Sequence, residues 1–196
     1  MIATITLASP ETKNVLSAAM LAELPQHFAA AAEDDAVRVI VLTGEGNTFC
    51  AGADLSGASA ADADSFAASG PGALVRVLEA MLDHPKPIVA RVQGHVAGGG
   101  NGLVAASDLS VAVESAKFAF SEVRVGVAPA VISVVCLARM NPNDARELLL
   151  TGERVSAERN PETCVPPSIV LMLLTKVKML LAYVSVYWRQ TSISTP

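Results

Sequence analysis

A chain of 196 residues, 52% apolar and only 4% aromatic, is long enough to bury the core of one domain with or without an appendage, which excludes a disordered chain and a small disulfide-stapled one. A formal charge of −5, with no basic run of five or more residues, argues against a nucleic-acid partner. Cys50, Cys136 and Cys164 form an odd, widely spaced set without a C-x-x-C pair, so neither a disulfide framework nor a metal site is expected and a reduced, cytoplasmic setting is the simplest one.

In chain order, Ile2-Ala3-Thr4-Ile5-Thr6-Leu7 alternates as a strand, and with no basic segment and apolar run ahead of it no secretion signal is expected. Ser9 to Asn14 is turn-like. Leu16, Met20, Leu24 and Phe28 then recur every four residues as one helical face, in which Pro25 is expected to kink or restart the helix. Val37 to Thr43 is a continuous β-branched and apolar run closed by Gly44, the mark of a strand covered on both faces. Ala58 to Gly70 is small, acidic and featureless and reads as a loop. Helical spacing returns from Gly72 to Leu82 through Leu74, Val77, Leu78 and Met81, and Pro85 and Pro87 punctuate its end.

Ile88 to Val92 reads as the next buried strand and feeds a glycine-rich run that opens a helix through Leu103 to Ala106, followed by a strand from Leu109 to Val113. Asn143 to Leu150 is a further helix with Gly152 as its stop. Repeated strand, ligand-facing turn and helix define an α/β domain whose site lies at strand ends. His27, His84 and His95 are scattered and read as structural or exposed histidines. The apolar stretch that ends at Trp188 is interrupted by Lys176 and Lys178, so no membrane helix and no membrane partner is expected.

Gly94 to Leu103 crowds five glycines between the strand and the helix. Missing Cβ atoms there let backbone amides approach a ligand's negative charge, although a tight loop alone also requires glycine. A P-loop is excluded because Leu103 and Val104 follow Gly102 where Lys and Ser/Thr would stand, and the G-x-G-x-x-G dinucleotide spacing is absent.

Three separated segments together resemble one family. Phe49-Cys50-Ala51-Gly52-Ala53-Asp54-Leu55 is similar to the F-x-A-G-x-D-[LI] segment of the enoyl-CoA hydratase/isomerase (crotonase) superfamily. Gly94 to Asp108 resembles its G-x-x-x-G-G-G segment, and Phe118 to Pro129 its F-x-x-x-E-x-x-x-G-x-x-P segment. Leu148 to Glu158 resembles a later stretch centred on Thr151-Gly152. The resemblance covers roughly residues 1–159, an acyl-CoA-binding core, and leaves 160–196 as a tail that departs from it.

The resemblance implies a spiral of stacked strand-strand-helix turns that binds an acyl-CoA thioester, with coenzyme A as part of the substrate and no separate cofactor or metal. It implies an oxyanion hole from the backbone N–H groups of Ala53 and Gly99, an acid/base at Glu122, and substrate contacts from Ala51, Asp54, Leu55 and Gly98, with Lys13 toward a CoA phosphate. Relatives of this type form homotrimers or hexamers, an assembly placed in doubt here by the tail. The first of two glutamates in the hydratase pattern falls on Gly102, a residue without a side chain. Hydration of a double bond uses both groups. The pattern as a whole most resembles bacterial enoyl-CoA hydratase-like proteins and implies an acyl-CoA-processing enzyme with one glutamate acid/base; the alternatives are an enoyl-CoA isomerase, since moving a double bond needs one carboxylate, and a catalytically inactive acyl-CoA-binding member, which needs neither.

Overall fold

The computed structural model describes residues 1–54 and 63–157. The β-branched runs become the strands of a parallel sheet: β1 (Ile2–Leu7), β2 (Val39–Gly44), β4 (Ile88–Val92) and β6 (Leu109–Ala112) lie in the order β1-β2-β4-β6. Ile2 sits opposite Val39 and Leu7 opposite Gly44, and Ile40 to Thr43 run opposite Ile88 to Arg91. A second sheet is built from strands of three residues each, β3 (Thr48–Cys50), β5 (His95–Ala97), β7 (Lys117–Ala119) and β8 (Arg154–Ser156). Its first three are parallel and β8 closes it antiparallel to β7.

Each pass of the chain adds one strand to the first sheet, one to the second, and then a helix. The passes are β2-β3-α2 (Ala63–Leu82), β4-β5-α3 (Gly99–Ala106) and β6-β7-α4 (Ala130–Leu137). This is the α/β crotonase-like spiral that the resemblance implied. Asp108 secures one such pass, its carboxylate accepting from Ile88 N–H (2.8 Å) at the start of β4.

Helix α1 (Ala18–Glu33) is capped by Ser17, whose hydroxyl accepts from Met20 N–H at 3.2 Å, and it buries Leu21, Leu24, Phe28 and Ala31 at three- and four-residue spacing. It does not restart at Pro25. The proline forfeits one backbone bond, a loss of about 3 kcal/mol in a free helix, but Leu24 and Phe28 on either side are driven into the core and hold the helix through it. At its end the Lys86 ammonium donates to the Ala31 and Asp34 carbonyls, each at 2.7 Å, and His84 Nε2–H donates to the Phe28 carbonyl at 3.0 Å. His84 is thus the structural histidine expected of it.

The expected loop is corrected over Ala63 to Gly70, which lies in α2; the alanine content there suits a helix better than its small, acidic composition suggested. Residues 58–62 fall outside the described part. The helix α5 (Pro142–Thr151) ends as expected on Gly152, in the left-handed region at φ 63°, with its N–H on the Leu148 carbonyl (3.0 Å). Among the described residues no helix is long and apolar enough to cross a membrane.

Asn14, read from sequence only as part of a turn, is fully buried in the left-handed region at φ 54°. Its amide donates to the Glu45 (2.9 Å) and Thr48 (2.7 Å) carbonyls while its Oδ1 accepts from Ser9 N–H (2.9 Å), tying the segment before α1 to the start of β3. Asn14→Ala removes all three bonds, leaving the Ser9 N–H and the Glu45 carbonyl without this partner while the Thr48 carbonyl keeps Gln93 Nε2 (3.0 Å), and is expected to cost about 1–3 kcal/mol of stability. Denaturant unfolding of the variant checks this, read as a fall in midpoint at constant slope.

Candidate active site

The glycine run turns the chain from β5 into α3. Gly98, at φ 49°, precedes the helix and spends its N–H on the Ala119 carbonyl of β7 (3.1 Å). The buried Asn101 adds a second bond to the same carbonyl through its amide N–H (2.8 Å), so this side chain is a strut to β7. Gly99 is the first residue of α3, and an amide in a helix's first turn has no acceptor within that helix. Gly100 allows the helix onto β3: a β-carbon there would meet the Cys50 carbonyl oxygen at 2.8 Å.

The segment after β3 is clamped from the other side. Ala51 N–H donates to the Lys13 carbonyl (3.1 Å), and Leu16 N–H donates to the Gly52 carbonyl (2.8 Å). Leu16 lies opposite Ala53 in a parallel bridge, a pairing whose bonds run to the residues flanking Ala53 and leave its own N–H turned outward. Gly52 makes the turn possible at φ 97°. A β-carbon on Gly52 would lie 3.4 Å from Gly99 N, and one on Gly99 would lie 4.0 Å from Ala53 N. The Ala53 and Gly99 backbones therefore sit side by side, held by packing that has no spare volume.

Glu122 reaches the same spot from the 3-10 turn Ser121–Val125 after β7. A β-carbon on Gly98 would be 3.5 Å from Glu122 Oε1 and 3.5 Å from the Gly52 Cα. Oε2 is buried with no hydrogen-bond partner in the structure. Burial pushes the Glu122 carboxyl above its ordinary value, against the lowering effect of a bond from its own backbone N–H. The buried Cys136 thiol of α4 is pushed up to about 12, first by burial and then by the negative charge of Glu122.

Ala53, Gly98, Gly99 and Glu122, four of the expected site residues, thus come together. Lys13 is exposed, in the left-handed region at φ 59°, with its backbone beside Ala51. Asp54 follows Ala53 half-buried, and Leu55 lies outside the described residues.

The family model described as Enoyl-CoA hydratase/isomerase matches residues 1–171. The chain belongs to this family. It is 38% identical over 156 residues to a Mycobacterium bovis protein named "Probable enoyl-CoA hydratase echA6", covering 79% of this chain and 61% of that one. It is 36% identical over 162 residues to (E)-benzylidenesuccinyl-CoA hydratase of Thauera aromatica, covering 80% and 61%. A crystal structure of an enoyl-CoA hydratase from Mycobacterium avium superimposes with a TM-score of 0.75 at 36% identity, over 89% of this chain and 70% of that one. The chain spans about three fifths of the length of these curated relatives.

Against the hydratase pattern, the position that lacks its glutamate is closed sterically. Gly102 lies in α3 one turn beyond Gly98, and a β-carbon on it would meet Ile132 Cγ2 at 2.8 Å, Ile132 Cβ at 3.3 Å and Leu78 Cδ2 at 3.6 Å. Ile132, Leu78 and Gly52 stand at the candidate site without having been expected there. Gly52 stood inside a recognised motif and its sharp turn was the available signal; the others are apolar residues of helices, which carry none.

Proposed function

We propose that this enoyl-CoA hydratase/isomerase family member binds an enoyl-CoA thioester and moves its double bond, using Glu122 as the sole acid/base. The Glu122 carboxylate removes a proton from C2 of a 3-enoyl-CoA, and the electron pair passes to the thioester oxygen. The N–H groups of Ala53 and Gly99 hold that oxygen while it carries charge. Glu122, now protonated, returns a proton to C4, which leaves the double bond between C2 and C3. Two fixed amides stabilise an oxyanion without reorganising, and losing one such donor costs about 10²–10³ in rate.

The observation that carries this reading is the pairing of one carboxyl group beside the Ala53 and Gly99 amides with an apolar wall at Gly102. Water addition needs a second group to hold and deprotonate the water, and at Gly102, where the hydratase pattern has it, the nearest neighbours are the apolar side chains of Ile132 and Leu78. The same wall supports a second reading, an acyl-CoA-binding protein without turnover. Incubation with a 3-enoyl-CoA and, separately, with crotonyl-CoA distinguishes the two, with products separated by chromatography and weighed by mass spectrometry. A migrated double bond and no water adduct supports the proposed reaction; no product with CoA-ester binding retained supports the second reading; rapid hydration of crotonyl-CoA contradicts both.

A further inference from the structure

The wall at Gly102 is made by a particular side chain on a neighbouring helix. Ile132 of α4 is 2% exposed and lies against Gly102 through both its Cγ2 and its Cβ. The Cβ is fixed by the backbone, and a β-branched side chain in a helix holds one strongly preferred rotamer, so Ile132 cannot swing aside. Cys136, four residues on, shares its face of α4 and is buried with it. Along α3, Glu122 meets the Gly98 end and Ile132 meets Gly102.

We propose that Ile132 is a specificity-determining residue: its branched side chain fills the volume in which a second carboxylate would hold water, and so confines the site to one-carboxylate proton transfer. The proposal rests on the reading of Glu122 as acid/base given above. It has a consequence that the absent glutamate alone does not have. Restoring that glutamate is not enough, because Gly102→Glu drives its own β-carbon into Ile132, and water addition becomes accessible only when Ile132 is reduced as well.

The test compares Gly102→Glu, Ile132→Ala and the double variant on crotonyl-CoA, with CoA-ester binding measured on each. Water adduct is expected to form at least about tenfold faster with the double variant than with either single one, as a positioned acid/base supplies. Equal rates for Gly102→Glu and the double variant overturn the proposal, as does a folded, CoA-ester-binding double variant no faster than wild type. A companion cycle requires neither charge nor substrate. Gly102→Ala is expected to lower the unfolding temperature by roughly 3 °C or more beside Ile132 and to leave it unchanged or raised in the Ile132→Ala background. Equal shifts in both backgrounds overturn the steric argument. Failure of the wild-type protein to bind CoA esters contradicts the proposed function instead, and the unfolding cycle is read independently of it.

Discussion

Glu122→Gln is expected to slow double-bond migration by about 10²–10⁴-fold while CoA-ester binding persists, because the substitution keeps the shape of the side chain and removes only its capacity to exchange a proton. The wild-type rate should fall on the acid side with a midpoint above the ordinary glutamate range, since burial disfavours the charged form that must take the first proton. Stability moves the other way. The folded state holds the Glu122 proton more tightly than the unfolded state does, so this group's contribution is fully present below the ordinary glutamate value and is lost as pH rises through the raised one. At neutral pH Glu122→Gln should therefore unfold at the same temperature as wild type or higher, and the gap should close in acid. A rate profile and thermal melts across pH check both halves; a surface glutamate would leave rate and melting unchanged.

Gly52→Ala is the second large effect, through a residue that contributes no side chain. At φ 97° an alanine is strained, and its methyl would lie 3.1 Å from the Ala97 carbonyl oxygen and 3.3 Å from the Gly98 Cα. Relief of that contact has to move the Ala53 amide, the Gly98 and Gly99 backbone, or both. The expected loss is about 10²–10³ in kcat, comparable to deletion of one oxyanion donor, accompanied by about 1–3 kcal/mol of stability. Steady-state kinetics at a temperature well below the variant's melting point separates the two effects. An unchanged kcat would contradict a role for the Ala53 and Gly99 amides that depends on this packing.

The fold was legible where residues themselves carry periodicity. Ile2 to Leu7 and Ile88 to Val92 appear in the structure with the bounds read from sequence, since long β-branched runs suit buried parallel strands. The strands of the second sheet, three residues each, are too short to show a period, and α4, apolar throughout except for Ser133, shows no polar face to mark it as a helix. Pro25 misled because local propensity says nothing about how deeply Leu24 and Phe28 are buried. At the site, the motifs brought Ala53, Gly98, Gly99 and Glu122 into view, and β-carbons on the glycines would lie only 3.3–4.0 Å from the facing chain, which explains why three separated stretches converge. Ile132 could not be found from the motif at all, for its partner is a side chain that Gly102 does not have.

A thioester enolate made and discharged by one carboxylate is the centre of the proposed reaction. The most direct measurement follows a 3-enoyl-CoA in deuterated buffer with wild-type protein and with Glu122→Gln, reading by mass spectrometry the migrated product and the deuterium in all recovered CoA esters. The account predicts migration and deuterium uptake with wild type and loss of both, by about 10²-fold or more, in the variant. Migration at an undiminished rate without the Glu122 carboxylate, or a water adduct as the main wild-type product, would contradict it.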